Sequence, residues 1–261
     1  RERTRREAVE AAGADDIHAR GLRIGLYSVP SRVSCCWTWG SFGHEAADAA
    51  AWAKWGIDLL KYDWCYGDRD YREGDPAARQ RAAYGKMGAL LRALPRDIVY
   101  NVCNYGRHGA ASWAGAAGGH YWRTNGDVKA NWADILRAIR ENLALVDYAG
   151  PEKGWNDPDM LVVGPSRLNG FTACTLTPNE QYTHISLWAL LPAPLFIGCD
   201  LTRLDPLTLS LLTNDEVLEI NQDALGRPAR PVVHTEAFDI WARPLADGST
   251  AIALFNRGTE P

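Results

Sequence analysis

Two charged residues stand near the end of an apolar stretch, LLKYDWC, at residues 59–65. Lys61 and Asp63 are two positions apart, so in a β-strand both side chains point to the same face. A carboxylate beside an ammonium group stays ionised at neutral pH, which is the state that a nucleophile needs. A salt bridge or a loop cap at the strand end explains the same spacing, and the residues alone leave both interpretations open.

A second carboxylate, Asp127, follows Arg123 by four residues in YWRTNGDVKANWADI, residues 121–135. If Asp127 faces Asp63 and is partly removed from water, it can hold a proton and act as a general acid. The Gly126 turn and the helix-like segment after it also suit an aspartate that caps a helix. The sequence therefore offers a candidate nucleophile and a candidate proton donor.

A further acidic pair, Asp157 and Asp159, flanks Pro158 in GWNDPDMLVVG, residues 154–164. Calcium normally needs more oxygen ligands close by, so we expect these carboxylates to hydrogen-bond backbone groups or a polyhydroxylated ligand. The 11 tryptophans suit such a ligand, because sugar rings present flat C–H faces that stack on indoles. Most of the tryptophans are nevertheless expected in the core.

Lys61 also permits a rival chemistry, because a lysine at the end of a barrel strand can form a Schiff base once its pKa is depressed. Asp63 would hold this ammonium group charged, so we favour hydrolysis over aldolase chemistry. The histidines show no HExxH or paired spacing, and the six cysteines show no paired CxxC spacing. No metal or cofactor is therefore predicted, and one or two disulfides remain possible.

The elements that must position these residues follow from the periodicity of the sequence. Short apolar runs that suit buried parallel strands occur at 22–28, 57–62, 97–103, 120–124, 160–164 and 194–198. Stretches with apolar residues at helical spacing lie between them, at 44–55, 76–94, 131–146 and 178–191. This succession predicts an α/β fold with a parallel sheet, either a (β/α)8 barrel or an open, doubly wound sheet.

Polar residues at the carboxyl ends of these runs favour the barrel. An open nucleotide-binding sheet would carry a GxGxxG turn or a GxxxxGK[ST] loop, and the sequence contains neither. A site assembled from many strand ends is typical of a TIM barrel. Six strands are two short of closure, so we expect strands three to eight to be present and the first two to be missing.

The pattern changes after Gly226-Arg227-Pro228. PVVH, FDIWARPL and STAIALFN predict short strands, with a DG turn at 247–248. We therefore predict a partial (β/α)8 catalytic barrel at residues 1–227 and the start of a C-terminal antiparallel β-sandwich domain at residues 228–261.

Charge and hydropathy exclude two classes of partner. The 28 basic and 32 acidic side chains give a net charge of −4, without a basic stripe, so nucleic acid is not predicted. The longest apolar stretch, 186–199, is shorter than a bilayer span and is interrupted by Pro192 and Pro194, so no membrane helix is predicted. The first residues are polar and charged, and we expect the signal region to be missing from this chain.

Several long motifs, in the right order, resemble glycoside hydrolase family 27, the α-galactosidase and α-N-acetylgalactosaminidase family. They are GLRIGLYS, GSFGHEAADAAAWAKWGIDLLKYDWC, YWRTNGDV, GWNDPDMLVVG, APLFIGCDL and EVLEINQDALG. The resemblance implies a (β/α)8 barrel followed by an antiparallel β domain. It also implies a retaining exo-glycosidase that releases terminal α-D-galactose from oligosaccharides or glycoconjugates, without a metal or cofactor.

The resemblance assigns roles to residues of this sequence. Asp63 matches the nucleophile, and Asp127 matches the general acid/base. The family positions that hold sugar hydroxyls correspond to Lys61, Arg123 and Asp159. Cys35 and Cys65 match a disulfide beside the nucleophile and are expected to border the substrate. Such a disulfide suits an exported enzyme, so a secreted or periplasmic location is expected.

Two departures from the family bear on the substrate. Where many α-galactosidases have Cys-Glu-Trp, this sequence has Cys103-Asn104-Tyr105, and Asn104 is expected near the hydroxyls that distinguish galactose from related sugars. An asparagine can donate as well as accept, whereas an ionised glutamate only accepts. In SCCWTWG, Trp37 and Trp39 replace small residues and are expected to extend an aromatic platform at the pocket rim.

These departures define the alternatives. Within the same chemistry, the protein could instead be a β-L-arabinopyranosidase or an α-N-acetylgalactosaminidase. From a different class, it could be a carbohydrate-binding protein that has lost catalysis. The presence of both Asp63 and Asp127 argues against a pure binding protein, which needs neither a nucleophile nor a proton donor.

Overall fold

The computed structural model describes residues 13–165 and 176–258. The chain forms two compact units, which divide between Arg123 and Thr124. Within the described ranges, no helix is both long enough and apolar enough to cross a membrane.

Parallel strands dominate the first unit, and each pairs with the next along the sequence. They are β1 (Gly25–Ser28), β2 (Leu59–Asp63), β3 (Val99–Cys103) and β4 (Tyr121–Arg123). The register pairs Lys61 with Tyr27 and Asn101, and it pairs Asp63 with Cys103. Parallel pairing brings the carboxyl ends of the strands to one edge of the sheet, and Asp63 lies at that edge.

Helices separate these strands along the chain. They are α1 (Glu45–Lys54), α2 (Gly67–Asp70) and α3 (Pro76–Arg92), with helical residues at 13–19 and a 3₁₀ helix at Arg107–Ser112. Helix α3 begins where Asp75 accepts the N–H of Ala78 at 2.8 Å, and Pro76 fits the first helical position. Tyr84 of α3 packs edge-on against Tyr62 of β2, with ring centroids 6.0 Å apart, and both rings are fully buried.

The second unit combines helices with the short strand β5 (Trp155–Asp157). Its helices are α4 (Trp132–Leu143), α5 (Pro178–Leu190), α6 (Pro206–Leu212) and α7 (Asp215–Asn221), with 3₁₀ helices at Val146–Tyr148 and Leu201–Arg203. Each α-helix starts at a side chain that accepts a backbone N–H of its first turn, namely Asn131, Thr177, Asp205 and Asn214. The buried apolar core of this unit includes Ile135, Ile139, Leu161, Trp188 and Leu191.

An antiparallel sheet ends the described chain, as the alternating pattern predicts. Its strands are β6 (Arg230–His234), β7 (Phe238–Pro244) and β8 (Thr250–Asn256), in that order across the sheet. The predicted DG turn joins β7 and β8, and Gly248 has φ +87°, a left-handed conformation that glycine adopts without strain. Trp241 of β7 and Phe255 of β8 pack edge-on, and the buried Trp241 belongs to the apolar core of the second unit.

Two of the predicted parallel strands are wrong as regular strands. Residues 160–164 and 194–198 share an isolated parallel bridge, between Leu161 and Ile197. The nearby strand β5 is formed instead by Trp155–Asp157, a tryptophan followed by two polar residues, and this short segment shows no apolar alternation that would have predicted a strand.

The side chains of α5 explain why residues 160–164 do not form a full strand. Nε2 of His184 accepts the N–H of Val162 at 3.1 Å, and Oε1 of Gln181 accepts the N–H of Gly164 at 2.9 Å. A buried backbone N–H must find an acceptor, and here a helix provides the acceptors that a neighbouring strand would otherwise supply. This substitution cannot be inferred from the hydrophobic pattern of the segment itself.

Candidate active site

Asp63, the last residue of β2, is buried, with 7% of its surface exposed. Its Oδ2 accepts a hydrogen bond from the Tyr27 hydroxyl at 3.3 Å. Its Oδ1 is buried and has no hydrogen-bond partner in the part of the chain that the structure describes. One carboxylate oxygen is therefore held in place, and the other has its lone pairs available.

The electrostatic environment of Asp63 contains opposing contributions. Burial is the largest and raises the pKa of Asp63 above its ordinary value, because it disfavours the charged form. The Tyr105 hydroxyl and the positive charges of Lys61 and Arg123 act in the opposite direction. The expected support from Lys61 is present, but it does not outweigh the loss of hydration.

The disulfide that the resemblance implies is formed between Cys35 and Cys65. Sγ of Cys65 lies 3.2 Å from the Tyr27 hydroxyl and 3.4 Å from the Tyr105 hydroxyl. The Ser31 hydroxyl donates to the carbonyl oxygen of Cys65. The disulfide thus joins the segment that follows β1 to the segment that follows Asp63, between two phenol groups.

Trp37 lies two residues beyond this disulfide and is 71% exposed. Its ring packs against Tyr66 with centroids 5.5 Å apart. Both residues have positive φ, +59° for Trp37 and +55° for Tyr66. Bulky residues seldom adopt this strained conformation, and strain of this kind clusters at functional sites. Trp39 is 88% exposed, so the two indoles have the accessibility that the predicted platform requires.

Asn104 follows β3 and is fully buried. Its Nδ2 donates to Oε1 of Gln80 at 2.8 Å and to the carbonyl oxygen of Arg107 at 2.8 Å. A backbone carbonyl can only accept, so the amide nitrogen must face Arg107, and both of its hydrogens are used. The buried Oδ1 has no hydrogen-bond partner among residues 13–165 and 176–258. Of the donor and the acceptor that an asparagine can offer, Asn104 therefore keeps only the acceptor for a ligand.

Arg123 ends β4 and is almost completely buried. Its Nη1 lies 3.8 Å from Sγ of Cys103, the residue that pairs with Asp63 across the sheet. The first unit therefore brings together the predicted residues Lys61, Asp63, Arg123, Cys35 and Cys65.

In the second unit, the side chain of Asp127 is exposed, which contradicts the expectation that it would be partly removed from water. Residues 124–128 precede α4 and contain no regular helix or strand, so this side chain projects from a loop. The loop backbone itself is held. The carbonyl oxygen of Asp127 accepts a hydrogen bond from Nη2 of Arg137 at 3.2 Å, and the adjacent N–H of Val128 donates to Oδ2 of Asp159 at 2.8 Å.

Asp159 is buried and adopts φ +82°, which is rare for a residue other than glycine. Its N–H donates to Oδ1 of Asp157 at 2.8 Å, and its carbonyl oxygen accepts from Nε1 of Trp188 at 2.7 Å. The expected backbone hydrogen bonding of this acidic pair is confirmed. The contribution of Trp188 was not predicted, and its position in an apolar helix gave no signal of it.

Among the residues described, no cluster of three or more His, Cys, Asp or Glu side chains is placed to hold a metal ion. Nε2 of His184 accepts a hydrogen bond from the backbone N–H of Val162. The chemistry available at this site is that of carboxylates, phenols, an ammonium group and a guanidinium group.

Comparisons with known proteins agree with this arrangement. The family profile described as Alpha galactosidase A matches residues 2–223, and the profile described as Alpha galactosidase C-terminal beta sandwich domain matches residues 235–261. Alpha-galactosidase 2 of Arabidopsis thaliana is 40% identical over 247 residues, which are 94% of this chain and 58% of that protein. The chain spans about half the length of the curated relatives that it matches.

Solved structures show the same fold. Alpha-galactosidase I from Mortierella vinacea matches with a TM-score of 0.85 and 30% identity, over 95% of this chain and 64% of that one. An alpha-galactosidase from Saccharomyces cerevisiae with raffinose matches with a TM-score of 0.84 and 27% identity, over 96% of this chain and 60% of that one. The predicted α/β fold of the TIM-barrel class with a following β domain is confirmed, and the chain belongs to glycoside hydrolase family 27, the α-galactosidase family.

Proposed function

We propose that this protein is a retaining exo-glycoside hydrolase that releases terminal α-D-galactose through a covalent glycosyl-enzyme intermediate. The observation that carries the proposal is the state of Asp63. Tyr27 holds one of its oxygens, and the other is buried without a hydrogen bond within the described chain. A buried carboxylate oxygen without a hydrogen bond destabilises the folded state, so its presence needs an explanation. A catalytic role explains it, because a nucleophile needs an oxygen with available lone pairs to attack carbon.

The reaction follows from the roles of two carboxylates. Oδ1 of Asp63 attacks the anomeric carbon while Asp127 protonates the departing glycosidic oxygen, and a glycosyl ester forms on Asp63. Asp127 then removes a proton from water, which hydrolyses this ester and restores the original configuration. Retention requires the two carboxyl groups about 5–5.5 Å apart when the sugar is bound.

Burial of Asp63 has opposite effects on the two steps. A carboxylate that receives few hydrogen bonds is a less stable anion, so it is a better nucleophile in the first step but a poorer leaving group in the second. Groups that stabilise the departing carboxylate therefore matter in the second step. Tyr27 donates to Oδ2, and the Tyr105 hydroxyl and Lys61 stabilise the ionised form of the same group. We propose that these three residues stabilise the carboxylate as the glycosyl ester breaks.

The substrates we propose are oligosaccharides and glycoconjugates that end in galactose. The Saccharomyces cerevisiae relative was solved with raffinose, which supports this class. Lys61, Arg123 and Asp159 are proposed to bind sugar hydroxyls, and Oδ1 of Asn104 to accept a hydrogen bond from one of them. The exposed Trp37 is proposed to stack on the ring of the departing sugar.

Export to an oxidising compartment is proposed from the disulfide. Cys35 and Cys65 are joined, and disulfides persist mainly in secreted and periplasmic proteins. A free thiol assay on protein from the native compartment would test this, since protein recovered with both Cys35 and Cys65 reduced would contradict it.

The test of the activity uses p-nitrophenyl α-D-galactoside, α-N-acetylgalactosaminide and β-L-arabinopyranoside with the wild type, Asp63→Ala and Asp127→Ala. We expect the wild type to cleave the α-galactoside with retention of configuration. NMR spectroscopy identifies the anomer that is released first. Asp63→Ala should lose this activity, and azide should restore turnover of Asp63→Ala with inversion, because azide replaces the missing nucleophile.

Other outcomes would change the proposal. Cleavage of another glycoside in place of the α-galactoside would keep the mechanism and overturn the galactose assignment. A wild-type protein that binds galactose and cleaves none of the three glycosides would favour the carbohydrate-binding alternative.

A further inference from the structure

Asp159 occupies a backbone conformation that its neighbours must impose. A non-glycine residue at φ +82° is strained, and this conformation persists only where the surrounding contacts over-determine it. Three hydrogen bonds do so here. The N–H of Asp159 donates to Asp157, its carbonyl oxygen accepts from Trp188, and its Oδ2 accepts from Val128.

Trp188 is a rigid anchor for this arrangement. Its side chain is fully buried, and it packs edge-on against His184 with ring centroids 4.1 Å apart. It is the third member of a row on one face of α5, at the spacing that aligns side chains along a helix. Each member hydrogen-bonds the backbone of residues 159–164, and the row is Gln181, His184 and Trp188.

The hydrogen bond from Val128 to Asp159 connects this rigid arrangement to the loop that contains Asp127. Val128 is buried and directly follows Asp127, so its N–H belongs to the peptide plane next to the candidate acid/base. Oδ2 of Asp159 accepts that N–H at 2.8 Å. Arg137 holds the carbonyl oxygen of Asp127, which belongs to the same peptide plane. The exposed carboxylate of Asp127 thereby stands on a backbone whose next peptide plane is held by two hydrogen bonds.

We propose that Trp188 is a positioning residue for the general acid/base, acting through Asp159 on the peptide that joins Asp127 to Val128. The indole N–H keeps Asp159 in its left-handed conformation, and Asp159 keeps the Asp127 loop in place. The proposal rests on the proposed function, which gives Asp127 its catalytic role. It assigns to Asp159 a contact with the loop in addition to the sugar contact that the family resemblance implies.

The consequence of a loosened loop is chemical and selective. A misplaced Asp127 transfers its proton poorly, which slows the departure of groups that need protonation. A dinitrophenolate leaves without protonation, whereas a methoxide does not. If Asp127 is misplaced, the loss of activity should therefore depend on the leaving group. If the protein only loses packing in general, the loss of activity should be the same for both leaving groups.

The experiment compares Trp188→Phe with Trp241→Phe. Trp241 is also buried in the second unit, but its Nε1 has no hydrogen-bond partner among the described residues, so its replacement removes similar volume without this contact. Both proteins are assayed with methyl α-D-galactoside and 2,4-dinitrophenyl α-D-galactoside. Hydrogen–deuterium exchange of the peptide that contains Val128 is measured in parallel, and thermal melting checks that both variants fold.

We expect Trp188→Phe to lose about tenfold in kcat/KM on the methyl galactoside and less than twofold on the dinitrophenyl galactoside. Trp241→Phe should change kcat/KM by the same factor on both substrates. The Val128 amide should exchange faster in Trp188→Phe alone. Equal losses on both substrates, or unchanged exchange at Val128, would overturn the positioning role.

Failure of the proposed function has a different signature. A wild-type protein that cleaves neither galactoside, or an Asp127→Ala variant without leaving-group dependence, would overturn the function and with it the catalytic meaning of the contact. Exchange at Val128 would still decide whether Trp188 holds the loop.

Discussion

The Tyr27 hydroxyl donates a hydrogen bond of 3.3 Å to Oδ2 of Asp63, and the same hydroxyl lies 3.2 Å from Sγ of Cys65. Tyr27 belongs to β1 and Asp63 to the neighbouring strand β2, so the contact crosses the parallel sheet at its carboxyl edge. A donor on one oxygen of a carboxylate stabilises the charged form and directs reaction to the other oxygen. This relationship leads to the first prediction.

Replacing Tyr27 by Phe removes that donor and should raise the pKa of Asp63 further. The nucleophile then becomes ionised at higher pH, so the acidic limb of the kcat/KM profile should move to higher pH. We expect kcat/KM to fall about tenfold near the original pH optimum, which corresponds to the free energy of one hydrogen bond to a charged group. The measurement is a pH profile with p-nitrophenyl α-D-galactoside.

Tyr71→Phe is the matched control for this profile, because the Tyr71 hydroxyl donates to the carbonyl oxygen of Pro30 and makes no hydrogen bond to Asp63. Its acidic limb should coincide with that of the wild type. An unshifted limb in Tyr27→Phe would show that the hydrogen bond does not influence the nucleophile.

Replacing Asp63 by Asn should abolish activity and stabilise the fold at neutral pH. Burial raises the folded-state pKa of Asp63 above its unfolded value, so ionisation favours the unfolded state. Stability is therefore lost as the pH rises from the unfolded pKa through the folded pKa. Above that window the uncharged Asn avoids the cost, so Asp63→Asn should melt at a higher temperature than the wild type at pH 7.

Asp58→Asn should have the opposite effect and serves as the comparison. Burial opposes ionisation of Asp58 too, but hydrogen bonds from His18, Ile24 and Arg96 prevail and lower its pKa to about 2. A carboxylate with a depressed pKa stabilises the fold above its unfolded pKa, and this stability is lost as the pH falls. Thermal melting at pH 7 should thus give shifts of opposite sign, and shifts of the same sign would contradict the assignment.

Two glycines of α3 should respond oppositely to the same substitution. A Cβ at Gly85 would meet no atom within 4 Å, so Gly85→Ala should stabilise the protein by about 0.5–1 kcal/mol through helix propensity. A Cβ at Gly88 would clash with the carbonyl oxygen of Ala117, so Gly88→Ala should destabilise it by about 1–3 kcal/mol. Urea unfolding measures both, and equal effects would mean that α3 does not pack this closely on residue 117.

His184 should make the protein sensitive to acid. Burial lowers the pKa of His184 to about 3, so the folded state holds a neutral ring while the unfolded state binds a proton near pH 6.5. This stability is complete above about pH 6.5 and is lost as the pH falls toward 3. Relative to His184→Gln, the wild type should lose about 2 kcal/mol of unfolding free energy between pH 6.5 and 4.5.

Urea unfolding at the two pH values tests this loss. His44→Gln is the control, because the His44 side chain is exposed and makes no capping hydrogen bond to α1. Its unfolding free energy is measured at the same two pH values, so that the effect of His184→Gln is compared with the replacement of an exposed histidine. An acid sensitivity of His184→Gln equal to that of the wild type would refute the prediction.

The local pattern of the sequence determined most of the elements. Apolar residues at three-and-four spacing predicted α1, α3, α4 and α5, and alternation around the DG turn predicted β7 and β8. These patterns work because a helix or a half-buried strand exposes its faces at a fixed period. The motifs around Asp63 and Asp127 determined the family, since each lies at the end of a recognisable element.

The tertiary structure decided which groups satisfy one another. Asn104 keeps only an acceptor, because the side chain of Gln80 and the backbone carbonyl of Arg107 accept both of its amide hydrogens. Gln80 is distant in the sequence, and the bond to Arg107 follows no regular helix or strand pattern. Trp188 holds Asp159 across 29 residues, and an apolar helix gives no sign that one indole N–H is committed. Hydrogen-bond partners depend on which segments meet in space, and periodicity describes one segment at a time. The sequence by itself therefore determined the family and its candidate carboxylates, and only packing decided how those carboxylates are held.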